Sequence, residues 1–286
     1  GRMMQPINMA LCQGHWTGEQ ESTIALYTDL IAEAVAQDAT LICLPEFTLL
    51  PYFPGIENNP ESTRWQERRG VGVSHDFFSA MAKQHAVTLI GSIFEEADDG
   101  LWDTAVIYNA QGALSHYTRK VHIPQGTGYH ETEYFNGYGD FPVHDIGLAN
   151  IAAPTCYDQW FPELARIYAL NGADVIYYPT AIGSEPDAPD FDSAQAWQTI
   201  MRGHAVANGV FIGACNRVGH ENAVTFYGSS FVCDPLGNVL VQASRDRDEV
   251  VMATLDPNVQ AQYRSLFPLL KQRQPQHYGR LIQADD

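Results

Sequence analysis

Apolar residues recur at helical spacing over residues 24–36, and a short unbroken apolar run at 41–44 follows them and stops at Pro45. That order predicts an amphipathic helix feeding a strand buried on both faces. The pairing recurs three times: residues 77–84 lead to VTLIGSIFE, 161–170 to DVIYYPT and 194–207 to VFIGACN. Helix alternating with strand in this way predicts an α/β fold.

Two stretches break the alternation, TAVIYNAQGALSHYTR around Gln111-Gly112 and SSFVCDPLGNVLVQAS around Leu236-Gly237. Both read as hairpins with glycine in the turn. Laid side by side, LICLPEF matches VIYYPTA, TLIGSIFEE matches VFIGACNRV and one hairpin matches the other, which predicts an internal duplication. Each half leaves one sheet face uncovered, and burying the two faces together gives a four-layer α-β-β-α sandwich. The expectation is one domain over residues 1–286, with its core at 4–256. The extension at 257–286 carries scattered apolar residues (Tyr263, Leu266, Leu269, Leu270, Tyr278) with little periodicity and is expected to reach across a partner subunit. Gly1 and Arg2, ahead of Met3 and Met4, read as the remnant of a cleaved tag and are set aside.

Composition narrows the function. Of 286 residues 45% are hydrophobic and 17% charged, enough for a large core. The 34 acidic against 16 basic residues leave a formal charge of −18, which disfavours nucleic acid and anionic membranes as partners and leaves a small molecule, attractive if cationic. No apolar run approaches a membrane span and the first ten residues carry no signal pattern, so a cytoplasmic protein is expected. Five cysteines without a CxxC pair predict reduced thiols, with neither a disulfide framework nor a zinc knuckle, and no cofactor is expected.

Cys43, Cys215 and Cys233 sit inside apolar runs as small hydrophobes. Cys156 ends NIAAPTC and precedes YDQWFPELAR, so it stands at a strand-to-helix elbow that would expose a nucleophile, with a helix N-terminus nearby to favour its thiolate. Glu46 follows a buried strand, where burial would raise its pKa toward that of a general base. Lys120, in HYTRKVHIPQG, ends the first hairpin and offers a fixed positive charge. Read singly, Glu46 and Lys120 are solvated side chains and Cys156 is as easily structural; together they supply base, electrostatic stabiliser and nucleophile. A Cys-His arrangement has only His122, His130 and His204 to draw on.

LPEF at 44–47, RKVHIP at 119–124 and CYDQWFPE at 156–163 resemble, in order and spacing, the three motifs of the nitrilase, or carbon-nitrogen hydrolase, superfamily. The resemblance runs over about residues 9–256 and implies a catalytic triad of Glu46, Lys120 and Cys156 on the sandwich fold. It implies a substrate-orienting glutamate at Glu131 and a homo-oligomer. CYDQWFPELAR, YYPTAIGSEP and FYGSSF are most similar to the branch that hydrolyses N-carbamoylputrescine in polyamine synthesis. His130 and Gln125 depart from that branch at the pocket rim.

Relatives acting on carbamoyl amino acids hold a carboxylate with arginines after the nucleophile, where this chain has Tyr157, Asp158 and Gln159. Asp158 would repel an anion and tolerate a cation. The acidic loop GSEPDAPDFDS adds Glu185 and Asp187 as candidate partners for an ammonium, with Asp192 better read as a helix cap. Tyr129, Phe135 and Trp160 are candidates to pack on a methylene chain. The alternative substrate is an omega-amide or a ureido acid.

Overall fold

A computed structural model describes residues 3–285; Gly1 and Arg2, with the expected tag remnant, lie outside. One sheet runs from edge to edge through Glu249–Leu255, Ile7–Gln13, Leu41–Cys43, Thr88–Ala97, Gly100–Tyr108 and Leu114–Arg119. The other runs through Val239–Gln242, Phe231–Cys233, Phe211–Cys215, Val175–Pro179, Asn150–Ala152 and His144–Asp145. In each, three central strands are parallel and the strands on either side of them in this order antiparallel, while a short strand, Gln66–Glu67, adds to Thr88–Ala97 in parallel off that order. The parallel strands are joined through α1 (Gln20–Ala36) and α2 (Val73–His85) in the first half, and through α3 (Pro162–Leu170) and α4 (Ala194–Asn208) in the second.

The sheets pack face to face: Met9, Leu11, Leu41 and Cys43 meet Ile151, Val175, Tyr177 and Phe211 in one buried cluster. On the outer faces Ile31 and Phe78 pack α1 and α2 over Ile42 and Leu89, and Tyr168 and Trp197 pack α3 and α4 over Ile176 and Ile212. These are the four expected layers. Pro162 opens α3, where its missing N–H costs nothing, and Gly209 closes α4 at φ +62°.

The matching of the halves needs one correction. Leu41 pairs with Thr88, and its counterpart Val175 pairs with Phe211, so Thr88 corresponds to Phe211 and Ile90 to Gly213. The shared glycine of TLIGS and VFIGA put the sequence match one residue out, and in a strand one residue exchanges the faces. Gly213 therefore faces the other sheet, where a Cβ would lie 2.5 Å from Met9 Cε.

The extension is more regular than its pattern predicts. It opens with α5 (Pro257–Leu266), capped by the Asp256 side chain and held to the second half by Gln260, which donates to the carbonyls of Asp174 and Gly209. Its last residue, Leu266, is exposed, as are Phe267, Leu281 and Ile282 beyond it. Among the described residues no helix is long and apolar enough to cross a membrane.

Candidate active site

Parallel α/β sheets gather sites at the C-terminal ends of their strands. Here both sheets contribute: Glu46 follows Leu41–Cys43, Cys156 follows Asn150–Ala152, and Ala181 follows Val175–Pro179. The two halves touch at this point, where the Glu46 N–H donates to Thr180 O over 3.3 Å. Arg217, itself buried, holds the turn after Glu46 by donating to the carbonyls of Glu46, Phe47 and Leu50.

Lys120 Nζ is the hub. It donates to Glu46 Oε2 at 2.8 Å and Glu131 Oε1 at 2.6 Å, with Asp103 Oδ2 at 3.5 Å, and all four groups are buried. Burial alone would drive the lysine down, but Glu131, Glu46 and Asp103 outweigh it and hold the ammonium well above its ordinary range. Burial raises Glu131 to about 7, against the pull of Lys120; its second oxygen accepts from Tyr52 Oη. Burial and the neighbouring Glu46 push Asp103 well above the usual carboxylate range.

Cys156 sits in its elbow at φ +45°, a conformation that strains a side-chain-bearing residue and recurs at sites where function requires it. Its Sγ lies 3.4 Å from both the N–H and the carbonyl of Ala181. The expected thiolate is not favoured here. Residues 156–160 form only a short 3₁₀ turn, and burial, then Glu46, push the thiol well above its ordinary range, opposed by Lys120. Burial thus favours the thiol form of Cys156 over the thiolate.

Asp158 is not a pocket residue. Its buried carboxylate accepts from the N–H groups of Thr155, Val121 and His122 and from the His122 ring. It ties the Cys156 elbow to the Lys120 loop. The three histidines are engaged elsewhere: His122 stacks on Phe161, His204 bonds Gln159 O, and His130 bonds Gln125.

A cavity of about 410 Å³ opens onto Cys156 and Glu131, walled by Tyr129, Tyr157, Trp160, Phe191 and Glu185. Among the described residues, no lysine, arginine or histidine lines it. Tyr129 is fixed by bonds to Ser184 O and Gly183 N–H. Glu185 pairs with no described basic side chain, and partial burial, with Asp187 nearby, raises its pKa. Asp187 lies outside, exposed and accepting from Thr127; Asp192 caps the Ala194 amide as expected. Phe135 belongs to the aromatic packing behind Glu46, 5.9 Å from Phe47, and not to the cavity.

Residues 8–265 match the model of the carbon-nitrogen hydrolase family. The chain belongs to the carbon-nitrogen hydrolase family. It is 34% identical to a citrullinase of Francisella tularensis over 98% of this chain and 99% of that one. To an N-carbamoylputrescine amidase of Solanum lycopersicum it is 39% identical, over 98% and 96%. The solved structure of a carbon-nitrogen hydrolase from Helicobacter pylori superposes with a TM-score of 0.91 at 34% identity, covering 99% of this chain and all of that one. The chain is a hydrolase of the nitrilase superfamily, acting on non-peptide carbon-nitrogen bonds in linear amides.

Asp103, Tyr52 and Arg217 escaped the sequence reading. The signal was there for two of them: an aspartate inside LWDTAVIY and an arginine directly after FIGACN are charges placed where only a buried partner makes them tolerable.

Proposed function

We propose that this hydrolase releases ammonia from the ureido group of a carbamoylated amine with a cationic tail, N-carbamoylputrescine being the substrate that fits best. The observation that carries the reading is the cavity wall: among the described residues its ionisable groups besides Cys156 and the tyrosines are the acids Glu131 and Glu185, and Glu185 pairs with no described basic side chain. A terminal ammonium would find its counter-charge there, with Tyr129 and Trp160 against the methylenes. An anionic ureido acid would meet no guanidinium fork. Citrulline carries both an ammonium and a carboxylate, and the likeness to a citrullinase makes it the second reading.

In this mechanism Glu46 takes the Cys156 proton as sulfur attacks the ureido carbon. Lys120 steadies the oxyanion, joined by a backbone N–H. Ammonia leaves with the proton returned by Glu46, giving an S-carbamoyl intermediate. Glu46 then activates water, Glu131 keeps Lys120 in place, and the released carbamate loses carbon dioxide to leave the free amine. The exposed apolar residues beyond α5 fit cover by a second copy of the chain, and a cytoplasmic place in polyamine synthesis fits the substrate.

The test is ammonia release from N-carbamoylputrescine, citrulline and an N-carbamoyl amino acid, with Cys156→Ser as control. Glu185→Gln should raise KM for the cationic diamine by about tenfold, the worth of one charged hydrogen bond, with kcat little changed. Equal KM in both chains would remove Glu185 from the site. Preference for citrulline would replace the first substrate by the second.

A further inference from the structure

Three buried carboxyls surround one ammonium, and their oxygens lie within 4.8 Å of one another. If all three were ionised, Lys120 would leave two negative charges unbalanced among buried side chains. Glu131 is doubly served, by Lys120 and by the Tyr52 hydroxyl. The other two are not: Glu46 Oε1 and Asp103 Oδ1 are buried with no described partner. Orphaned buried acceptors are costly, and two of them on adjacent carboxyls have one economical remedy, a single proton held between them.

We propose that Asp103 is a protonated carboxylic acid in the resting enzyme and donates a hydrogen bond to Glu46, acting as a positioning residue for the base. Asp103 is well placed for this. It lies in Gly100–Tyr108, and its backbone carbonyl accepts from the Lys120 N–H at 2.9 Å, so the strand that carries the acid also anchors the lysine. Phe94, its register partner, is apolar. The charged or titratable groups acting on it are Glu46, Lys120 and Glu131, with Cys156 and Tyr52 joining the same cluster. Burial and the contact with Glu46 keep its proton on. Held this way, Glu46 turns one oxygen to Lys120 and the other to Asp103. The base keeps a fixed orientation and faces one less negative charge when the Cys156 proton arrives. No net proton leaves Asp103 in the cycle; it is a donor, not a relay.

The inference rests on Glu46 acting as the base, but its main test needs no substrate, so failure on carbamoyl amines would not touch it. The native chain, grown with side-chain ¹³C-aspartate, is examined by infrared spectroscopy at about pH 9, two units above Glu131, which stands at about 7. A protonated-carboxyl C=O band that moves with the label and vanishes in Asp103→Asn is expected. Absence of a label-sensitive band, or its survival in the variant, overturns the proposal. Asp103→Ser serves the same subtraction if the Asn chain does not fold. In turnover, Asp103→Ala should lower kcat/KM about 10²-fold through misplacement of the base. Asn, which still donates, should recover roughly tenfold of that. An Asn variant no better than Ala would mean that Asp103 serves as an anion beside Lys120, and would also overturn it.

Discussion

The two halves share one plan of strands and helices, yet they carry different chemistry. The first half supplies the buried ammonium and the three carboxyls around it: Lys120, Glu46, Asp103 and Glu131. The second supplies the thiol and most of the cavity wall. Met9 pairs with Leu41 as Ile151 pairs with Val175, so counting along the two strands sets Gly14 opposite Cys156 and Thr180 opposite Glu46. Corresponding strand ends of the two matching sheets meet, and one set carries the ionisable cluster while the other carries the Cys156 thiol. A half taken alone has the carboxyl cluster without the thiol, or the reverse.

Removing one side's contribution is the largest break. Cys156→Ser should lower ammonia release by at least about 10³-fold, because a hydroxyl in this burial is far harder to ionise. Intact-mass measurement should then find no covalent intermediate. A variant retaining a tenth of the rate would move the nucleophile elsewhere.

On the ionic side, Lys120→Met should cost stability even without substrate, about 3–5 kcal/mol, because it strands three buried carboxyls. The loss should shrink as pH falls and the carboxyls take up protons. Urea unfolding at two pH values checks it; an equal loss at both would mean that the carboxyls carry little charge.

Glu131 offers a finer cut. Its folded pKa, about 7, lies above its ordinary 4.5, so it contributes stability at low pH that is lost as pH rises through that interval. Glu131→Gln should flatten that part of the Tm-against-pH curve. An unchanged slope would show that another group titrates there.

The smallest effect tests packing. Gly91 stands where the second half has Ala214, but a Cβ at Gly91 would come within 2.5 Å of the Phe78 ring. Gly91→Ala should cost roughly 1–3 kcal/mol by overpacking against α2. A neutral result would mean that α2 can move outward to admit the methyl.

What was legible in the chain follows from these particulars. The strands Leu41–Cys43 and Val175–Pro179 announce themselves as apolar runs ending in proline, and the helices by their period, so the four layers could be read directly. Glu46, Lys120 and Cys156 stood out only in combination. Asp103 was hidden because the strand pattern around it is apolar and the partners that make it tolerable are 17 and 57 positions away (120 − 103 and 103 − 46). Asp158 misled for the opposite reason: its place beside the nucleophile suggested substrate contact, while its lone pairs had been taken by amides of a loop more than thirty positions earlier. The exchange of faces at Gly213 is the same limitation in a strand, since residue identity can match while parity does not.

The Asp158 carboxylate also has a kinetic meaning. By joining the amides of Thr155, Val121 and His122, it makes the nucleophile elbow and the Lys120 loop one mechanical piece. Those three amides should exchange with solvent deuterium as a single opening unit, because neither loop can breathe while the other stays closed. The thiol and the ammonium then keep their spacing through every thermal excursion short of the one that unfolds both.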